Sequence, residues 1–388
     1  MLPACILAAL ALGQAPTTLA QAAQALEPAR SSTVVEAMQQ ERPERCWLAG
    51  EYLLGCIRGG NLPPLVTTGP SAANPGILGQ PGTVVLFGDE RVGEDVRSGF
   101  RLAWGKWLDE CRTCGIEARF FWLAPRSDGG TFTGSPTSRP FIDGNTDRPA
   151  VELVDLDGVI GGGVSVDADS GPLLGADLDC RKLLCCGCNY RVDWLTGYRF
   201  LYFKDKVEIT ENLVSEDPQS VGTTFRVNDR FEASNCFNGL NLGISASRWS
   251  NQWAADCTAR LALGCVHREI VINGSTVATP PGAPPLFSQG GLLALQSNIG
   301  RHDSAAFAIV PEFGVGLSCQ LTQRLHTRVG YTLLLWPNVA RAGDQIDLVV
   351  NPNLIPPPIG GGPSRPMVLE QSDLLWMHAL SLRLELRY

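Results

Sequence analysis

The C-terminal stretch restricts the fold more than any other part of the chain. Trp376, His378, Leu380, Leu382, Leu384, Leu386 and Tyr388 share one parity, while Met377, Ala379, Ser381, Arg383, Glu385 and Arg387 share the other. A β-strand sends alternate side chains to opposite faces, so this segment has one greasy face and one polar face. The same alternation recurs upstream. Tyr190, Val192, Trp194, Tyr198, Phe200 and Tyr202 oppose Arg191, Asp193, Gly197 and Arg199, and Phe307, Ile309, Phe313, Val315 and Leu317 oppose Ala308, Glu312, Gly314, Gly316 and Ser318.

Ten such segments can be marked, at about 46–57, 98–110, 114–125, 172–184, 189–205, 223–246, 250–272, 305–321, 326–338 and 373–388. Long links (58–97, 126–171, 206–222, 273–304, 339–372) take turns with short ones (111–113, 185–188, 247–249, 322–325). Outer-membrane barrels have this asymmetry, with long extracellular loops and short periplasmic turns. An even strand count brings both ends to the periplasm, and closure satisfies every backbone group in lipid. The expected architecture is therefore all-β, an antiparallel transmembrane barrel of ten strands, with twelve as the alternative. A soluble β-sandwich also alternates, but it gathers its aromatic residues in one interior. Here Trp, Tyr and Phe stand on the apolar parity near strand ends, as an interfacial girdle requires. Two places resist the pattern. Pro311 lies inside a strand and predicts a bulge. In 223–246 the parity slips between Phe237 and Leu240, which predicts a bulge or a change of face.

Composition narrows the rest. Hydrophobic residues make up 44% of the 388, yet no apolar run reaches the roughly 18 residues of a membrane helix. Gly (42) and Pro (27) suit turns and long loops, and a net charge of −8 disfavours nucleic acid as a partner. Residues 1–22 read as a secretory signal with an apolar core from Cys5 to Leu12, although no Lys or Arg precedes it. A disordered Ala/Gln leader is the alternative. Residues 23–45 read as a flexible periplasmic lead-in, and the barrel as 46–388.

Twelve of the 13 cysteines follow the signal. Cys111 and Cys114 fall in one short turn, and Cys185, Cys186 and Cys188 in another. Rim disulfides, free thiols and a zinc-like site are the three readings, with the oxidising periplasm favouring the first. Cys180, Cys236, Cys257, Cys265 and Cys319 lie in strands and are expected to pack as small hydrophobes. Gly158 to Gly163 lacks the Gly-Lys-Ser/Thr ending of a phosphate loop and reads as flexible loop. Asp155, Asp157, Asp167, Asp169, Asp177 and Asp179 lack a closing Glu for calcium and read as a solvated acidic stretch. The four histidines (267, 302, 326, 378) are scattered, with no His-x-Asp cluster of the kind barrel proteases use. The sequence asks for no metal, no cofactor and no enzymatic role.

The polar parity is the most informative candidate site. It holds Glu51, Glu117, Asp177, Asp179, Asp193, Asp256, Glu312 and Glu385 against Arg101, Arg119, Arg181, Arg191, Arg199, Arg260, Arg328 and Arg383. Every base is Arg, which pairs carboxylate bidentately in crowded surroundings. Glu117, Arg119, Arg199, Glu312 and Arg383 lie nearest mid-strand and are expected at the centre. Either the set is a structural network filling the lumen, or it is a charged constriction that selects solutes.

Several phrases carry a family resemblance. They are Cys46-Trp47-Leu48-Ala49-Gly50-Glu51-Tyr52-Leu53-Leu54, Gly115-Ile116-Glu117, Tyr198-Arg199-Phe200, Ala262-Leu263-Gly264 and Ile272-Asn273-Gly274-Ser275-Thr276. Further ones are Gly290 to Gly300, Val310-Pro311-Glu312, Val329-Gly330-Tyr331-Thr332, Gly343-Asp344-Gln345-Ile346-Asp347 and Val350-Asn351-Pro352. Over roughly 45–388 the chain resembles the β-barrel porin family numbered seven, found in planctomycete bacteria. Cys265-Val266-His267 departs from the Asn-Thr-His-like run expected there. The resemblance implies an outer-membrane barrel, with lipid and the barrel insertion machinery as partners and Tyr388 as a terminal assembly signal. It brings no catalytic residues. Passive diffusion of small solutes is the first expected function. A closed structural or surface-interaction barrel is the second, because about eight strands already leave an interior that side chains can fill.

Overall fold

A computed structural model of the chain describes residues 45–388. The leader and lead-in expected over 1–45 fall, apart from Arg45, outside these described residues. Ten strands form one closed antiparallel ring: β1 Cys46–Ile57, β2 Arg97–Trp107, β3 Cys114–Leu123, β4 Ile160–Cys186, β5 Tyr190–Ser215, β6 Thr224–Ser250, β7 Trp253–Thr279, β8 Gly300–Gln320, β9 Leu325–Val339 and β10 Asp373–Arg387. Each strand pairs with the next in the chain, and β10 returns to β1 over Trp47↔Arg387 through Ile57↔Met377. At the turn end the Tyr388 carbonyl accepts the Cys46 N–H at 2.8 Å, so both ends of the ring meet beside the short turns.

The strands are of two kinds. β1 to β3 and β10 run 12, 11, 10 and 15 residues, whereas β4 to β7 run 26 or 27. The outward face of β5 shows why. It is apolar through Trp194, Tyr198, Phe200 and Tyr202, and becomes ionic at Lys204, Lys206 and Glu208. Lys204 pairs with Glu232 at 2.6 Å, Lys206 with Asp169 at 3.0 Å and Arg301 with Glu269 at 2.9 Å, all on outward faces. The apolar stretch suits a hydrocarbon band of about 25 Å, and the ionic belt marks where lipid gives way to water. Beyond it β4 to β7 continue as a wall standing clear of the membrane.

This wall corrects several loop expectations. Residues 126–171 hold the strands Arg126–Thr133, Thr137–Asp143 and Arg148–Asp155 as well as the start of β4. Gly161 to Gly163 are strand rather than loop, and Asp167, Asp169, Asp177 and Asp179 lie on β4, the last two turned into the lumen. No bulge occurs at Pro311. The β7 register passes through it unshifted, and the β9 ladder starts only at Glu312, so proline stands where that ladder ends. On the edge left free above it, the Asn338 side-chain amide donates to the Phe307 carbonyl at 2.9 Å.

The slip at Phe237 has a different cause from the one expected. The register of β6 is continuous with β5 from Thr224 to Arg248 and with β7 from Thr224 to Ser250. Phe237 faces inward, as do Gly239, Asn241 and Gly243 below it. What changes is the chemistry of the interior. Below this level the lumen is ionic. Just above it most inward residues are apolar, and Leu53, Ile57, Leu123, Leu173, Leu201, Phe203, Phe237, Val266, Val310, Trp336 and Met377 join one buried cluster. The assignment of the apolar parity to lipid alone therefore holds only for the turn half of the barrel. A second cluster lies higher still, inside the wall of β4 to β7, where Phe141, Leu292, Leu293, Leu295, Ala340, Ile346 and Val350 from the loops pack on Val207, Ile209 and Phe231.

Candidate functional site

The lumen site follows from strand pairing. Arg119, Asp177 and Arg199 are direct cross-strand neighbours on β3, β4 and β5, and Arg260 stands beside Glu312 on β7 and β8. In a ring this narrow their side chains reach across as well as along the wall. Arg199 holds Asp177 at 2.7 Å and Glu312 at 2.7 Å, and Arg119 bonds both acids as well. Arg260 lies 3.2 Å from Glu117 and 3.5 Å from both Asp179 and Glu312. Arg181 joins Glu117 at 2.6 Å and Asp193 at 3.0 Å, and Asp193 also takes Arg191. Glu51 is shared between Arg101 at 3.0 Å and Arg383 at 3.3 Å, while Glu385 is shared between Arg383 and Arg387. Arg328 grips Asp256 bidentately at 2.8 and 2.7 Å. Gly316 and Gly330 make room for that guanidinium, since a Cβ on either would come within 2.4 Å of it. All sixteen charges of the inward parity thus stand on the lumen side, in three ion-paired groups: the Arg199-centred cluster, the Glu51–Arg383–Glu385 chain and the Arg328–Asp256 pair.

The network has a second storey that the sequence did not disclose. Arg139, from the strand Thr137–Asp143, enters the mouth and bonds Glu211 of β5 and Asp229 of β6, the latter at 2.8 Å. Asp229 also accepts the N–H groups of Leu292, Leu293 and Ala294 at 3.2, 3.1 and 2.8 Å, pinning the Gly290–Gly300 segment inside the wall. Asp205 likewise holds Arg341 at 2.6 Å and the Ala342 N–H at 3.0 Å, and Asn235 exchanges bonds with both backbone groups of Ala340. Inward carboxylates and amides on the wall therefore clamp two loops by their backbone. The available signal was parity: Asp205, Asp229 and Asn235 lie on the inward parity of the segments 189–205 and 223–246, and Glu211 carries it on into 206–222, which read as loop.

Glu152 lies 4.0 Å from Arg139, so three acids crowd one guanidinium. Burial, with Glu211 beside it, holds the Glu152 carboxyl well above its usual range. A raised folded-state pKa gives stability that is complete below the unfolded value near 4.5 and is lost as pH rises through the elevated value. Hydrogen exchange at Leu292 to Ala294, corrected for its intrinsic pH dependence, should lose about tenfold of protection from pH 5 to pH 8. In Glu152→Gln most of that loss should vanish; an equal loss in both proteins would remove Glu152 from the account.

At the turn end, Cys111, Cys185, Cys186 and Cys188 are exposed and Cys114 is half-buried, so the rim sulfurs gather on two neighbouring turns open to solvent. The Asp109 carboxylate fixes the first turn by accepting the Thr113 and Cys114 N–H groups, which hold its pKa down at about 2. Cys180, Cys257 and Cys265 are exposed on the outward face rather than packed inside, because their parity is that of Leu178, Ala259 and Leu263. Among the described residues no group of three or more His, Cys, Asp or Glu side chains is placed to hold a metal. Of the histidines, His267 lies 3.7 Å from Asp303 on the outward wall, His302 contacts the Asn298 carbonyl, His326 lines the lower lumen and His378 stacks near Trp376.

Below the ion network the lumen widens into a vestibule of about 570 Å³, open at the turn end. The whole defines a class: a ten-stranded transmembrane barrel of outer-membrane type, with short turns and chain ends at one rim and packed loops at the other. The chain belongs to the family described as Putative beta barrel porin-7, which it matches over residues 47–388. No curated protein matches it. Among solved structures, it resembles the outer membrane protease OmpT from Escherichia coli at 9% identity and a TM-score of 0.41, over 90% of this chain and 98% of that one. A Pseudomonas aeruginosa FadL homologue aligns at 7% identity and a TM-score of 0.25, over 89% and 90%. An anion-selective porin from Comamonas acidovorans aligns at 7% identity and a TM-score of 0.18, over 88% and 98%.

Proposed function

We propose that this protein is a closed barrel of the outer membrane, which anchors and displays its packed extracellular head and does not pass solutes by free diffusion. One observation carries this reading. The apolar cluster above the ion network takes inward side chains from nine of the ten strands, and Leu53, Ile57, Leu123, Leu173, Phe203, Phe237 and Trp336 within it are fully buried. Phe237 and Trp336 meet edge to face at 6.5 Å between ring centres. The tenth strand, β2, places Arg97 at this level, buried and bonded to the Gly93, Ser170 and Gly171 carbonyls, so the layer opposes water with packed side chains built from the strands themselves. Family membership supports an outer-membrane location and a non-enzymatic role, while the family's description favours a pore. The pinned loops above the layer are the surface offered to other molecules.

Planar-bilayer recording decides between closed barrel and pore. The purified protein should give no stepwise current, and neither should a variant lacking the loop segment 284–299, because the apolar layer lies beneath that loop. Regular unitary steps from the intact protein would overturn the closed reading and restore passive diffusion.

A further inference from the structure

The vestibule at the periplasmic end is unlike the rest of the lumen. Its volume of about 570 Å³ falls in the usual range for small-molecule sites. It is blind, since the ion network and the apolar layer close its inner end. Its wall carries nine arginines, and the acids that pair with them number eight when Asp177, Asp179 and Asp193 behind the wall are counted. The acids are overcommitted: Asp193 serves both Arg181 and Arg191, Glu385 serves both Arg383 and Arg387, and Glu51 serves both Arg101 and Arg383. Among the described residues the Arg112 guanidinium, at the mouth, has no acidic partner. Arg260 is almost wholly buried, makes only long contacts, and its Nε has no hydrogen-bond partner. Unspent donors in a concave site with a cationic wall attract an anion.

Aromatic rings fix the geometry of these cations. The Arg191 guanidinium lies 4.3 Å over the Trp107 ring, and Arg181 is flanked by Trp47 and Trp107 at 5.9 Å each. Trp47 can lie flat against the wall because position 105 is glycine; a Cβ there would come within 1.9 Å of its ring. Stacking holds the planar guanidinium in place while Asp193 and the Arg112 carbonyl take Nε and one terminal nitrogen of Arg191, which leaves its other terminal nitrogen to meet a ligand. A network that served only to fill the lumen would match charge with charge and leave no such excess beside an open volume.

We propose that the vestibule is a binding site for a small anionic solute of the periplasm, one bearing carboxylate or phosphate groups. The solute enters from the turn end, places its charge between Arg112, Arg191 and Arg387, and lies against the indole wall. The site does not depend on whether the lumen conducts, because it lies wholly on the periplasmic side of the apolar layer.

The test is calorimetric titration of the detergent-solubilised barrel with citrate, with pyrophosphate and with sucrose, followed in parallel by tryptophan fluorescence. Saturable binding of one or both anions, with sucrose inert, is the expected result, and the preferred anion separates a carboxylate from a phosphate ligand. Arg112→Asn combined with Arg387→Gln should weaken that binding about tenfold or more. Asparagine suits the positive φ of 54° at position 112. Arg301→Gln, on the outer wall, should leave binding unchanged. Should the double variant lose heat-modifiable migration on gels, Arg112→Asn alone serves, since it changes only a rim turn. Binding of neither anion, equal binding of sucrose, or undiminished affinity in a folded variant would overturn the proposal.

Discussion

Deleting residues 380–388 should abolish assembly, leaving a protease-sensitive species without heat-modifiable migration. The reason lies in pairing rather than in any single contact. β10 bonds β9 from Leu325↔Leu386 upward and β1 from Trp47↔Arg387 upward, so it is the strand that closes the ring. Without its lower half, β1 and β9 would each present a row of unpaired N–H and C=O groups to lipid, and each unsatisfied group there costs several kcal/mol, at about the scale of the whole folding free energy when summed. The same segment supplies Arg383 and Glu385 to the lumen, so Glu51 would lose one of its two partners. Recovery of a folded, heat-modifiable barrel from the truncated chain would show that β1 and β9 can close without β10.

Breaking the centre of the ion network should be the most damaging point change. Arg199 is fully buried, and its removal leaves Asp177 and Glu312 each short of a partner at 2.7 Å. Loss of one member of a buried pair typically costs about 3–5 kcal/mol, since the partner's charge stays behind. Arg199→Ala and Glu312→Ala should each fall in that range by urea unfolding in detergent. The double variant should cost less than the sum, by about 1 kcal/mol or more, because the two share one contact. Arg301→Ala on the outer wall breaks an exposed pair and should change stability by less than about 1 kcal/mol. If Arg199→Ala were as mild as Arg301→Ala, the lumen charges would be solvated well enough to count as surface, and the closed interior would have to be abandoned.

The alternation of the turn half was fully legible. From Leu380 to Tyr388, lipid demands apolar side chains outward, while the lumen there accepts Ser381, Arg383, Glu385 and Arg387, so a period of two separates the faces without ambiguity. Link lengths separated the turn end from the loop end for the same reason: short turns need few residues, and those loops that must fill a mouth need many. In the loop half the signal failed. Above Tyr202 the outward face meets water, and inward residues meet packed loops, so polarity inverts across the strand. Lys206 and Glu208 outside Val207 and Ile209 read as loop, although β5 runs straight on to Ser215. Phe237 gave a false slip because its apolar side chain faces a lumen that changes chemistry at that level.

What the sequence by itself determined was the membrane barrel, its ten strands and the set of charges on the inward parity, because each depends only on which face a residue takes along one strand. What only the tertiary structure decided was where those charges meet, that an apolar layer crosses the lumen above them, and that Asp205, Asp229 and Asn235 clamp the loops into the mouth. Those outcomes depend on the stagger between strands and on loops folding back inside the wall. Parity carries no information about either, because residues far apart in sequence come to one level only when the ring has closed.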